Sequence, residues 1–289
     1  MSAPVRSWLY APGHHPGRVL KALAAGADAV VIDLEDSVPA GRKDEARAVA
    51  ADIVRDLDAD HPEVWVRVNP PSTPWGERDL VALAGVPLDG VRVPRCEDPL
   101  DVRKVAAAVG CPLQLLLETA RGLMTARELA RADPAVCGIG LGEADLAADL
   151  RVTSEGLTWA RGWVVAVSRE AGLPSPVQSV YTDVADLEGL RATTATARAH
   201  GFFGRSLVHP RQIAPIHDVY RPTAQETERA REVFEAWGDA QSRGEAAALT
   251  ADGRFVDPAV VSQAQLVLEL AARASTAPST ADTLNEEHR

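Results

Sequence analysis

The sequence has no CxxC pair, and its three cysteines, Cys96, Cys111 and Cys137, are odd in number and lie in or beside apolar runs. This argues against a disulfide framework and against a zinc site, and each cysteine reads as a small buried hydrophobe. No apolar run approaches the ~20 residues needed to span a bilayer. The first residues lack the basic-then-apolar pattern of a secretory leader. A cytoplasmic protein without a membrane partner is therefore expected. Basic residues are outnumbered, 30 Lys+Arg against 41 Asp+Glu, for a formal net charge of -11. Nucleic acid is thus an unexpected partner, and an anionic ligand requires a local basic pocket working against the global field. No Gly-x-Gly-x-x-Gly follows an early strand, and Gly140-Leu141-Gly142 is too short to stand for one, which disfavours a dinucleotide fold.

What is there is an ordinary globular composition, 46% hydrophobic and 25% charged in 289 residues. Short β-rich runs alternate with Ala/Leu/Arg segments of helical spacing. Strands are expected at residues 7–10, 29–33, 64–68, 90–93, 113–117, 136–141, 177–180 and 206–208. Helices are expected between them, at 16–25, 43–57, 79–83, 100–109, 122–131, within 144–171, at 187–200 and from 213. Eight strands each followed by a helix, in about 220 residues, predict an α/β fold of the TIM (β/α)8 barrel type. A doubly wound sheet is the alternative, although eight units would be many for one. The expected division is a catalytic barrel over residues 1–222, a C-terminal helical lid or oligomerisation segment over 223–275, and a disordered tail over 276–289.

Barrels of this kind place chemistry at the carboxyl ends of their strands. Asp33, Glu35 and Asp36 end the second strand, Arg67 and Asn69 the third, Glu118 the fifth, and Glu143 and Asp145 the sixth. Adjacent parallel strands lie about 4.8 Å apart, so Glu118 and Asp145 should project over one corner of the mouth. Two carboxylates without a His or Cys cluster suit a hard, oxygen-liking cation such as Mg2+. Arg67 can hold a carboxylate in a bidentate fork, and a metal with an arginine facing one cavity suits a 2-oxo acid. Plainer roles compete at each position. Asp36 can cap a helix or pair with a cation, Glu143 reads better as structural, and His14, His15 and His209 read as loop or turn residues. Glu118 after Leu115-Leu116-Leu117, and Arg67 inside a buried strand, are harder to dismiss, because a buried charge needs a partner.

Seven blocks in order carry a resemblance: Arg6-Ser7-Trp8-Leu9-Tyr10-Ala11-Pro12-Gly13; Gly26-Ala27-Asp28 through Asp33-Leu34-Glu35-Asp36-Ser37-Val38; Lys43 with Ala46-Arg47; Arg67-Val68-Asn69; Glu118-Thr119-Ala120-Arg121-Gly122; Gly142-Glu143-Ala144-Asp145-Leu146; and Gly201-Phe202 with His209-Pro210-Arg211-Gln212-Ile213. Over residues 5–275 the chain resembles the citrate lyase beta-subunit-like family of the HpcH/HpaI aldolase superfamily. The resemblance implies a Mg2+-dependent carbon–carbon lyase. Such an enzyme cleaves or forms a citryl-, malyl- or citramalyl-type CoA thioester, with a 2-oxo acid and an acyl-CoA thioester as small-molecule partners. It also implies a homotrimer or a hexamer built of trimers. Glu118 and Asp145 then look like metal ligands and Arg67 like the clamp on the oxo acid. Asp36 looks like a partner of metal-bound water. Tyr10, Lys21, Arg42 and Lys43 lie where relatives contact CoA, and His209 joins them as a substrate contact. Asp257 matches an acidic residue that acts on the acyl methyl group from a neighbouring subunit.

The chain departs from the family at Arg205, where Lys is common, at Ser37, where Ala or Gly is usual, and in Phe255-Val256 with Pro258 after Asp257. Two other classes are open at this stage: a barrel aldolase acting on pyruvate- or oxaloacetate-type substrates without CoA, and a non-catalytic subunit of the same fold.

Overall fold

The structure, a computed structural model, describes residues 5–276. It divides into two compact units, the first ending at Asp218 and the second beginning at Val219.

The first unit is built on strands β1 (Ser7–Pro12), β2 (Ala29–Asp33), β3 (Glu63–Arg67), β4 (Gly90–Val93), β5 (Leu113–Leu117), β6 (Val136–Leu141) and β7 (Arg205–Leu207). They form one seven-stranded sheet in the order β6-β5-β4-β3-β2-β1-β7, every pairing parallel. Helices carry the chain back between strands: α1 (Pro16–Leu23), α2 (Lys43–Arg55), α3 (Pro74–Leu83), α4 (Pro99–Val109), α5 (Ala120–Met124), α6 (Ala126–Leu129), α7 (Glu143–Leu150), α8 (Thr158–Glu170) and α9 (Leu187–Ala199), with α10 (Ile213–Tyr220) after β7. Several polar residues that follow strands are helix caps: Thr73 accepts from Gly76 N, Asp98 from Leu100 N, Thr119 from Gly122 N and Asp186 from Gly189 N. That removes them from the list of chemical candidates.

The expected strand at 177–180 is reduced to a single parallel bridge, Gln178 to Arg205. On the β6 side the contact is made by a side chain, the Ser179 hydroxyl, in place of a backbone ladder. The segment still lies between the sheet's two outer strands. Gln178 N donates to Gly204 O at 3.0 Å, and Ser179 Oγ donates to Leu141 O at 2.5 Å.

The sheet is strongly curled. In its order β4 and β7 stand four places apart, which on a flat sheet would be ~19 Å. Yet Arg92 on β4 donates through Nη1 to Ser206 Oγ on β7 at 2.9 Å. Strand β2 is buried throughout, as a strand with helices outside and packing inside must be. On β5 the residues alternate: Leu113, Leu115 and Leu117 are buried, while Gln114 and Leu116 are half-buried and face the interior. Trp8, Ala29, Val31 and Trp65 form a core cluster, with the two indoles edge to face at 5.1 Å. Gly90 lies opposite Trp65, and a Cβ there would come within 2.2 Å of its ring. Only glycine lets that indole lie flat on the neighbouring strand.

The second unit holds α11 (Ala224–Ser242), a two-stranded antiparallel ribbon of β8 (Ala248–Leu249) and β9 (Phe255–Val256), and α12 (Pro258–Thr276). The ribbon interrupts the segment 223–275 that was expected to be helical. Thr223 and Glu226 form a reciprocal capping box on α11. Apart from Thr276, the tail expected to be disordered lies outside the described residues. No helix among the described residues is long and apolar enough to cross a membrane.

Candidate active site

A cavity of about 460 Å3 opens at the carboxyl ends of the strands. Its mouth carries Asp33, Asp36, Arg67, Glu118 and Asp145; its depth carries Tyr10, Arg92, Gln114 and Ser206.

Glu118 follows the buried run of β5 and is itself buried, with 3% exposure. Burial first, and the charge of Asp145 second, push its carboxyl up to about 7, against the opposing pull of Arg67 and of the Arg95 amide. A Cβ on Gly142 would lie 2.4 Å from Glu118 Cγ, so the glycine before Glu143 leaves the space that the carboxylate fills. Asp145, in the first turn of α7, is half exposed, and Arg95 ties the two acids together. Its amide donates to Glu118 Oε2 at 3.0 Å, and its Nη2 lies 3.5 Å from Asp145 Oδ1. Arg95 holds φ 49°, the left-handed region that costs a residue with a Cβ energy, and such strain gathers at functional sites. The two expected metal-binding carboxylates thus meet at one corner. Among the described residues no group of three or more His, Cys, Asp or Glu could hold a metal. The acidic pair therefore fits an ion that takes few protein oxygens and keeps positions for water and substrate, as Mg2+ does.

Arg67 differs from its expected state. Read from sequence, its fork is free for a ligand. In the structure its Nε and Nη2 donate to the two oxygens of Asp33 at 2.7 and 2.9 Å. Burial opposes ionisation of Asp33, but Arg67 and the amides of Glu35 and Ser37 outweigh it and hold its carboxyl low. Burial likewise opposes the Arg67 charge, and Asp33 more than compensates. Arg67 Nη1 lies 2.9 Å from Glu35 Oε2, close enough to pair but off the N–H direction, so that buried oxygen has no hydrogen bond. Burial pushes Glu35 up to about 8 despite Arg67. Asp36 is exposed and meets Arg67 Nη1 at 3.3 Å, the longest of these contacts.

The residues expected to contact CoA are scattered. Tyr10 lies deep, its ring 5.1 Å from the Arg67 guanidinium and its hydroxyl accepting from Arg92. Lys43 is buried: its ammonium donates to Leu34 O and Glu35 O and sits 5.3 Å from the Trp75 ring, and burial lowers its pKa. It borders a second hollow, about 580 Å3, with Asp36, Trp75 and Arg95. Arg42 forks onto Glu45 and reaches His14 O, and Lys21 is exposed on α1. His209 is an exposed turn cap whose Nδ1 accepts from Arg211 N. Glu143 pairs with Arg161, the structural role expected of it. Arg205 is buried and donates to Ser179 O and to the hydroxyls of Thr193 and Thr194. Asp257 lies in the second unit and caps α12 through Val260 N at 2.9 Å, with Pro258 at the first helical position.

Sequence reasoning missed Asp33 as the anchor of Arg67, Arg95 as the bridge between the acids, and Arg92. Arg92 is 1% exposed; its Nη1 donates to Tyr10 and Ser206, and its Nε and Nη2 have no hydrogen-bond partner.

A family model described as HpcH/HpaI aldolase/citrate lyase matches residues 6–210. The chain is 36% identical to a (3S)-malyl-CoA thioesterase of Cereibacter sphaeroides, over 88% of this chain and 90% of that one. It is 31% identical to an L-malyl-CoA/beta-methylmalyl-CoA lyase of the same species, over 93% and 95%. The crystal structure of the protein CitE from Mycobacterium tuberculosis, in complex with magnesium, acetoacetate and coenzyme A, superposes with a TM-score of 0.79 at 33% identity, covering 93% of this chain and 99% of that one. The chain belongs to the HpcH/HpaI aldolase/citrate lyase family.

Proposed function

We propose that this family member is a Mg2+-dependent carbon–carbon lyase that cleaves, or forms, a 3-hydroxy-3-carboxyl acyl-CoA thioester of the citryl, malyl or citramalyl type. The observation that carries the reading is the buried Glu118 meeting Asp145 over the cavity mouth, beside an anchored Arg67.

Glu118 and Asp145 would hold the ion, which when bound supplies Lewis acidity at the oxygen that becomes the ketone. Arg67 holds the oxo-acid carboxylate. Asp33 fixes the orientation of its guanidinium, and the exposed Asp36 contact is the one a substrate carboxylate displaces most cheaply. Asp36, freed from Arg67, would be available to accept a hydrogen bond from water at the ion. In cleavage the hydroxyl proton is taken up by water, the oxygen left behind becomes the ketone as the carbon–carbon bond breaks, the pair of that bond passes to the thioester enolate, and a proton from Asp257 completes the methyl group. Lys21, Arg42, Lys43 and His209 remain candidate contacts for CoA around the rim; Tyr10, placed deep, contacts the smaller half of the substrate.

We further read the first unit as a closed barrel in which residues 176–180 fill the gap between β6 and β7, supported by the Gln178 bridge and the Ser179 hydrogen bond. The second unit is read as a lid acting on a neighbouring copy in a trimer or hexamer, in a cytoplasmic enzyme. That last point has a direct test. Asp257→Ala and Arg67→Ala proteins, each nearly inactive, are mixed and allowed to exchange subunits. Partial return of activity is expected; its absence refutes a shared site.

The main test is a screen of citryl-, malyl- and citramalyl-CoA with Mg2+, following 2-oxo acid release. The thioesterase relative favours a second reading, hydrolysis of the thioester, and a thiol reagent separates the two. A lyase releases intact acyl-CoA and no free thiol, whereas a thioesterase releases CoA.

A further inference from the structure

Arg95 follows β4 and stands against both acids of the metal corner. Its loop is pinned on either side. Cys96 N donates to Leu116 O at 3.2 Å, and Glu97 Oε1 accepts from Thr119 Oγ1 at 2.8 Å. A Cβ on Gly122 would collide with Cys96 O, so the start of α5 packs directly on the loop. Between these anchors Arg95 takes the left-handed φ of 49°, which glycine adopts freely and a residue with a Cβ adopts at a cost. Its two ends meet different acids. The amide donates to Glu118 Oε2 at 3.0 Å. The other oxygen, Oε1, lies toward Gly142, where an added Cβ would be 2.5 Å away, and so toward the start of α7 that carries Asp145. The guanidinium reaches Asp145 itself, with Nη2 3.5 Å from Oδ1. The two side chains of that pair are 54% and 42% exposed, so water competes for the contact and the pair is loose. On its far side Arg95 borders the hollow of about 580 Å3, where Glu35, Asp36 and Glu97 offer a displaced guanidinium other carboxyl groups.

We infer that Arg95 is a positioning residue that holds the cation's place: its amide orients Glu118, and its guanidinium neutralises Asp145 in the metal-free protein and swings into the neighbouring hollow when a divalent ion binds. A guanidinium and a divalent ion repel each other, so both cannot sit against one carboxylate of this corner. Two consequences follow from the competition. Ion uptake works against an existing ion pair, so the affinity is lower than the two acids alone would give. In return, Asp145 keeps a positive neighbour while the ion is away, and the repulsion between it and Glu118 is offset. The inference rests on the reading of Glu118 and Asp145 as the ion's ligands.

The test is calorimetric titration of Mg2+, without substrate and at low ionic strength, into the full chain and into Arg95→Gly, Arg95→Asn and Arg95→Lys. Glycine and asparagine both accept the left-handed backbone, keep the amide that meets Glu118 and remove the charge. Both variants should bind Mg2+ about two- to fivefold tighter than the wild type, which is the reach of an exposed ion pair. The gain should fade as NaCl rises toward about 1 M, where screening acts within a few ångströms. Arg95→Lys keeps the cation and should stay near the wild type. Equal or weaker binding by both neutral variants overturns the inference. Tighter binding by Arg95→Gly alone traces the gain to relief of the backbone and overturns it too, as does a gain that salt leaves untouched. The ligand reading fails in a separate titration. Undiminished affinity in Glu118→Gln places the ion elsewhere and removes both claims. Affinity lost in Glu118→Gln but unmoved in the neutral Arg95 variants leaves the metal corner standing and refutes the place-holder alone.

Discussion

Arg67 and Arg92 are register partners on β3 and β4, yet they live in opposite surroundings. Arg67, at the mouth, has Asp33 on its fork and Glu35 and Asp36 within reach. Arg92, at the floor, has hydroxyls and indole faces and no carboxylate. The mouth is a set of acids with more negative charge than its arginines balance, a setting that favours a cation. The floor is a cation without a counter-ion, a setting that favours an anion. This polarity within one cavity stands against the overall charge of -11.

The largest effect should come from removing the mouth's surplus charge. Glu118→Gln keeps the shape and should weaken Mg2+ affinity by more than about 100-fold, since even partners of a metal ligand are worth 10–100-fold. The same variant should raise the Tm of the metal-free protein at about pH 8, because it deletes a buried carboxylate that has to ionise there. Titration calorimetry and thermal melts measure the two; unchanged metal affinity would place the ion elsewhere.

Next is Arg67→Lys. Loss of the fork should lower kcat/KM by the equivalent of about 2–4 kcal/mol. It should also lower Tm, since the buried Asp33 loses its two-pronged partner. A lysine variant with full activity and unaltered Tm would mean that the fork is dispensable.

The pH response should be smaller. Glu118 at about 7 and Glu35 at about 8 lie above the ordinary carboxylate value of 4.5, so the folded chain keeps protons that the unfolded chain releases. The stability this gives is full below 4.5 and is lost as pH climbs through 7 and 8. The metal-free protein should lose on the order of 2 kcal/mol between about pH 5 and pH 8, and Mg2+ should recover most of it only at the upper end. A Tm that rises over that range would contradict the burial argument for both acids.

The smallest effect should be at the floor. Tyr10→Phe removes one of the two hydroxyls that Arg92 Nη1 meets. It should cost about 1 kcal/mol of stability, a melting shift of a few degrees. A much larger loss would show that the floor depends on Tyr10 for more than that hydrogen bond.

Much of this was legible in the chain. The runs Ala29–Asp33, Gly90–Val93, Leu113–Leu117 and Val136–Leu141 are strands with those bounds, because apolar runs between turn residues have little else to become. The placement of Glu118 and Asp145 after neighbouring strands was enough to bring them to one corner. The strand expected at 177–180 shrinks to one bridge: its valines weigh toward a ladder, while toward β6 the Ser179 side chain makes the contact, which no local pattern reveals. Arg92 is as legible as Arg67: an arginine between Val91 and Val93 in a buried strand needs a partner. The grip of Asp33 on Arg67 was not readable, since register between β2 and β3 is set by tertiary pairing and not by either strand alone.

The pairing of Ser7 with Arg205 joins the two ends of the first unit. During synthesis β1 leaves the ribosome first and can pair with β2 early, but its other edge has no partner until Arg205 is made, 198 positions later (205 − 7). At cellular elongation rates that is a wait of roughly 10–40 s. For that time an apolar strand, Trp8-Leu9-Tyr10, keeps one edge unpaired, the kind of edge that templates pairing with another chain.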